Sequence, residues 1–160
     1  MAEELRRTHD PSPQVAAAIG RLATGALLLA SSLEKVTKRE PMLTIELEGG
    51  GPAGRLVATA SPRGWVRATV SNPRAETDIC DDGLLEVSGV VGTEGQLIVT
   101  RDPGVGEPYR GVVELVSGEI ARDLAQSSRR QNVVFHRLGG VRLHHRHVFV
   151  GRGMKHNRRC

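Results

Sequence analysis

The sequence predicts an α+β domain in which an antiparallel sheet is layered with a helix, and three observations point there. Between Leu43 and Glu48 apolar and polar residues alternate, with Leu43, Ile45 and Leu47 on one face and Thr44, Glu46 and Glu48 on the other. That is the period of a half-buried strand. From Val15 through Ile19, Leu22, Ala26, Leu29 and Leu33 to Val36, apolar residues recur at spacings of three and four, which draws one continuous stripe along a helix. Aromatics make up 2% of the 160 residues, so the core has to be assembled from Val, Leu, Ile and Ala, a palette that suits strands with a helix laid on them.

The helix start is written in Asp10, Pro11, Ser12 and Pro13, where Ser12 can cap orphan amides and Pro13 is pre-set for the first helical position. Ala16, Ala17, Leu27 and Leu28 broaden the stripe beyond a coiled-coil seam, which favours intramolecular packing. Lys35, Lys38 and Arg39 suit the helix C-terminus, and Pro41 stops it. After the strand at 42–48, Gly49 to Gly54 supplies a turn, Leu56 to Ala60 a second strand, Ser61 to Gly64 another turn and Trp65 to Val70 a third strand. Three strands on short turns form a meander whose apolar face the helix covers.

Asn72 and Pro73 then break the chain into an acidic loop reaching Gly83. Further strands are expected at Leu84–Val87, Gln96–Thr100 and Tyr109–Val116, with Ser88 to Gly95 and Asp102 to Pro108 as connections. On the last of these strands Tyr109, Gly111, Val113 and Leu115 share a face. Ser117 is the expected N-cap of a short helix beginning at Ile120 and Leu124.

Function is hard to find among single motifs. Gly49, Gly51 and Gly54 spell the dinucleotide fingerprint after a strand, with Glu76 and Asp78 about twenty residues on. The fingerprint needs its last glycine to open a helix, whereas Leu56 to Ala60 reads as strand and Pro52 removes an amide, so a hairpin turn is the better reading. A Walker loop is excluded, because Arg55 and Leu56 follow Gly54. Glu76, Asp78, Asp81 and Asp82 lack the alternation of an EF-hand and read as a solvated loop. His9 is the only histidine before the C-terminal stretch, and Cys80 stands beside Asp81 and Asp82, which disfavours its thiolate. No catalytic, cofactor-binding or metal-ligating set emerges, and no enzymatic activity is expected.

The two cysteines, Cys80 and Cys160, form neither a disulfide framework nor a C-x-x-C pair, the N-terminus lacks a secretory h-region, and polar residues interrupt the longest apolar stretch. A cytoplasmic protein without a membrane span is expected. Charge divides the chain in two. Residues 1–126 carry 13 basic and 18 acidic residues, net −5, whereas 127–160 carry nine basic residues and no acid.

A longer ordered pattern resembles the heat shock protein 33 family of redox-regulated holdase chaperones. It comprises His9, Pro11, Pro13, Gly20, Arg21, Leu22 and Leu27 to Leu29, then Gly49, Gly51, Pro52, Gly54, Gly64, Val66, Arg67, Val70, Asn72 and Pro73. Gly89, Val91, Gly92, Leu97, Val99 to Asp102, Pro108, Tyr109, Gly111, Leu115 to Glu119, Asp123 and Leu124 complete it. The resemblance implies an α+β fold with a mixed, mostly antiparallel sheet layered with helices. It also implies ATP-independent, stress-related binding of unfolded or misfolded clients, leaves a homodimer open, and assigns no substrate-binding residues.

In that family a separate module holds zinc on four cysteines and acts as a redox switch. Cys80 and Cys160 match none of them, so neither zinc nor the switch carries over to this chain. The resemblance also implies that a first strand is missing before Ala2, which would leave a sheet edge open. Residues 1–126 are thus expected to form the chaperone-like domain.

For 127–160 three readings compete. One is a basic arm binding nucleic acid, the alternative function, and another is a metal site at His145 and His147 with His136 or His144. The third, favoured by the abrupt change in composition, is an out-of-frame translation, although the same shift would turn Met154 and Lys155 into a stop. The stretch is expected to stay apart from the body, with Phe135 and Phe149 off the first helix.

Overall fold

The computed structural model describes Arg7 and residues 10–33, 39–77 and 86–138, with side chains as far as 129. Its elements in chain order are α1 (Pro13–Ala30), β1 (Met42–Glu48), β2 (Arg55–Ala60), β3 (Val66–Val70), α2 (Val87–Val91), β4 (Gln96–Asp102), β5 (Tyr109–Glu114) and α3 (Ile120–Leu138). The fold is α+β. The five strands lie in the order β3-β2-β1-β4-β5, and each neighbouring pair among them is antiparallel.

The alternation in β1 does what its period requires. Leu43, Ile45 and Leu47 are fully buried, and their register partners Ala60, Ala58 and Leu56 on β2 and Val99 and Leu97 on β4 continue the apolar face across the sheet. Val15, Ala18, Ile19, Leu22 and Ala26 of α1 pack on that face in one core cluster. By length and mean hydropathy (1.3) α1 would suffice to cross a bilayer. In this fold its apolar stripe covers the sheet instead.

Ser12 fixes where α1 lies. Its hydroxyl accepts from the Val15 amide at 3.3 Å as an N-cap and donates to the Ala75 carbonyl, while its own amide donates to Pro73 at 2.9 Å. Gln14 Nε2 adds a bond to the Thr77 carbonyl at 2.9 Å. The start of α1 is thereby stapled to the segment that leaves β3.

The helix ends at Ala30, short of the expected Val36. The hydroxyls of Ser31 and Ser32 donate to the carbonyls of Leu28 and Leu29, both at 2.7 Å, which offers the backbone an alternative to another helical turn. Lys35, Val36 and Lys38 lie outside the described residues, while Arg39 pairs with Asp102 at 3.2 Å.

Four further expectations need correction. Val87 opens a helix, not the end of a strand, and residues 84 and 85 lie outside the described ones. Val87, Val90 and Val91 are buried at a helical spacing, so packing overrides the β preference of valine. The strand at Tyr109 ends at Glu114, because the amides of Val116 and Ser117 turn to the Asp123 carboxylate at 3.0 and 3.2 Å. The last helix is not short. It runs 19 residues and crosses the change in composition at Gln126.

Ser127, at 1% exposure, is buried in that helix, so the basic stretch packs at its first residue. The side chains from 130 onward, Phe135 and Phe149 among them, lie outside the described residues, as do residues 1–6 and all residues from 139. Nor is Ser117 the N-cap of α3. Its hydroxyl accepts from the Glu119 amide at 3.2 Å, and the Glu119 carbonyl accepts from the Arg122 and Asp123 amides in the first helical turn.

Candidate functional site

The glycine run 49–54 is a hairpin loop between β1 and β2, as its turn residues required. Its Gly51, Ala53 and Gly54 amides are already used. Gly51 donates to the Val91 carbonyl and Ala53 to the Val90 carbonyl, both at 3.0 Å, so the loop satisfies the C-terminal carbonyls of α2. A phosphate would find those donors spent.

Glu76 stands in the described loop after β3, whereas Asp78, Cys80, Asp81, Asp82 and His9 lie outside the described residues, as do Cys160 and the side chains of the C-terminal histidines. Among the described residues no group of three or more His, Cys, Asp or Glu could hold a metal ion. Arg101, on the inner side of β4 opposite Tyr109, has its pKa lowered by burial, with an opposing contribution from Tyr109.

What the fold does build is an apolar groove of about 610 Å3 between α1 and α3. The faces of α1 divide the labour. Val15, Ile19 and Leu22 go to the sheet, and Ala16, Ala17, Gly20, Thr24 and Leu28 line the groove. Ala121, Leu124, Ala125 and Ser128 supply the wall on α3.

Close approach of the two helices depends on Gly25, since a Cβ there would collide with the Leu124 side chain. Further along, Gly20 has open space where its side chain would be. The Thr24 hydroxyl donates to the Gly20 carbonyl at 2.8 Å, so its proton is used within the helix. Leu28 is 69% exposed. Val105 and Val112 are comparably exposed, so it is the concave apolar lining, with Leu28 as part of it, that suits this surface to an apolar ligand.

Charge gathers at the rim. Arg21 of α1 reaches Glu119 ahead of α3 at 2.9 Å and ties the helices together at one end. Arg122 and Arg129 are exposed on α3. Helical spacing puts both on the solvent side of the wall formed by Ala121, Ala125 and Ser128. Asp123 contributes no charge to the rim. It is 3% exposed and accepts from Val116, Ser117 and the Ser117 hydroxyl.

The groove escaped the sequence reading, although its signal was present. Ala16, Ala17 and Leu28, which broadened the stripe of α1, are the residues left over once the sheet has been covered.

A family model described as Hsp33 protein matches residues 1–127. The chain belongs to the Hsp33 family. Among its relatives, the 33 kDa chaperonin of Bacillus velezensis is 46% identical over 123 residues, which are 77% of this chain and 41% of the relative. That of Thermus thermophilus is 50% identical over 125 residues, 78% of this chain and 36% of the relative. The crystal structure of the Hsp33 homologue from Thermotoga maritima superposes with a TM-score of 0.71 at 37% identity, covering 79% of this chain and 42% of that one. The chain thus spans about two fifths of the length of the Hsp33 relatives it matches. The Hsp33 match takes in α1, the whole sheet, α2 and the first turns of α3, and therefore nearly all of the groove.

Proposed function

We propose that this chain is a chaperone core that holds unfolded or misfolded polypeptides without ATP and without enzymatic chemistry. The observation that carries the reading is the groove between α1 and α3, an apolar surface with Leu28 standing open to solvent. Unfolding clients expose apolar segments, and burial of such segments is favourable at roughly 25 cal/mol per Å2 without any directional chemistry. Kinship with proteins named 33 kDa chaperonin supports the same reading. Nucleotide has no role in it, and the commitment of the Gly51 and Ala53 amides to α2 supports that.

Zinc has no role in this chain's own binding surface either. A structural zinc site of the thiolate type takes four ligands, and the sequence offers Cys80 and Cys160 alone. The residues present do not fit the family's metal, and client binding here is independent of a zinc-based redox switch. The protein acts in the cytoplasm in this reading.

The test is light scattering of a thermally unfolding client at stoichiometric amounts of this chain without ATP. Suppressed aggregation under both reducing and oxidising conditions is expected. Failure under both removes the proposal.

A further inference from the structure

We infer that the groove between α1 and α3 selects apolar client segments flanked by acidic residues. The inference rests on the chaperone reading above and adds the chemistry of the bound segment. The juxtaposition behind it is an apolar floor with a cationic rim. Arg21 lines the groove and Arg122 and Arg129 lie exposed on the solvent side of its α3 wall, and among the described residues the exposed carboxylate beside them is Glu119, which Arg21 engages. Among the described residues neither Arg122 nor Arg129 has an ion-pair partner.

Between Ala16 and Leu29 the floor rises along α1 for about 20 Å at 1.5 Å per residue. An extended segment of about six residues has that length at roughly 3.3 Å per residue. Its apolar side chains lie over Gly20 and Leu28, and carboxylates at either side of it come within reach of guanidinium groups that form planar, two-pronged hydrogen bonds with them.

Charge also decides against a second copy of this chain as the occupant. Two such grooves set face to face would bring two cationic rims together. A polypeptide with aspartate or glutamate beside its apolar run brings the opposite sign.

Fluorescence anisotropy on the full chain tests this with labelled peptides that share one six-residue apolar core, flanked by Glu, by Gln or by Lys. The Glu-flanked peptide is expected to bind about five- to tenfold more tightly than the Gln-flanked one at low ionic strength, the Lys-flanked one more weakly, with the differences shrinking as salt rises. In the exposed double variant Arg122→Glu/Arg129→Glu the preference, read as the ratio of Glu-flanked to Gln-flanked affinity, should vanish or reverse.

Equal binding of the three peptides overturns the acidic preference and leaves the chaperone reading standing. A preference that survives in the double variant overturns it too, by placing the source elsewhere in the basic C-terminal stretch. Binding of none of the three contradicts the groove itself. Sedimentation velocity covers the remaining outcome, because a dimer that Gly20→Leu disperses would make a second copy the occupant and overturn the inference.

Discussion

The Gly51 amide donates to the Val91 carbonyl at 3.0 Å, and this bond joins the β1–β2 hairpin to the end of α2. A side chain on Gly51 would run into the backbone of Val90, Val91 and Gly92, and one on Gly92, which sits at φ 86°, would strike Gly49. Glycine is required on both sides of the contact because backbone lies against backbone. Gly51→Ala or Gly92→Ala should therefore cost about 2–4 kcal/mol, steric displacement adding to backbone strain at the second site. Urea unfolding followed by Trp65 fluorescence measures it, and a loss under about 0.5 kcal/mol for either would mean that the loops do not pack this way.

Asp123 gathers three donors in a buried position ahead of α3, from the Val116 and Ser117 amides and the Ser117 hydroxyl. Asp123→Ala strands those donors and should destabilise the chain by about 2–3 kcal/mol. Asp123→Asn keeps an acceptor oxygen and should recover part of the loss. Equal losses for the two variants would contradict a hydrogen-bonding role.

Ser12 serves both α1 and the segment after β3, so Ser12→Ala should cost about 1–2 kcal/mol. Ser12→Thr, which retains the hydroxyl, should cost less. The comparison is again read in urea, and a reversed order would show that the hydroxyl is not what matters.

Much of this was legible before any coordinate. The alternation of Leu43, Ile45 and Leu47 named the buried face of β1, and Ser12 with Pro13 named the first residue of α1, because both signals are local. The long ordered resemblance placed the chain in its family. Val87 reads as strand in the sequence because a single apolar run cannot say whether it will be wrapped around a helix or stretched into a strand, and packing of α2 against α1 decides that. The glycine run reads as a turn in the sequence, but the reason for its glycines is non-local: Gly49 and Gly51 face Gly92 across forty or more intervening residues, a contact that no local pattern records. For the groove the sequence shows the surplus apolar residues of α1 but not the opposite wall, which exists only once Leu124 has settled on Gly25.

Zinc gives an independent check. Protein purified under reducing conditions should contain no stoichiometric zinc, and peroxide treatment should leave client binding unchanged. One equivalent of zinc per chain would contradict the ligand argument built on Cys80 and Cys160.

The groove itself is most directly tested by filling it. Gly20 lines its floor, a Cβ there meets nothing within 4 Å, and replacing glycine inside a helix favours the fold. In a light-scattering assay of a thermally unfolding client, the unaltered chain should suppress aggregation. Gly20→Leu, shown by urea unfolding to be at least as stable, should lose most of that suppression. Full suppression by a stable Gly20→Leu variant would mean that clients bind elsewhere and would contradict the account.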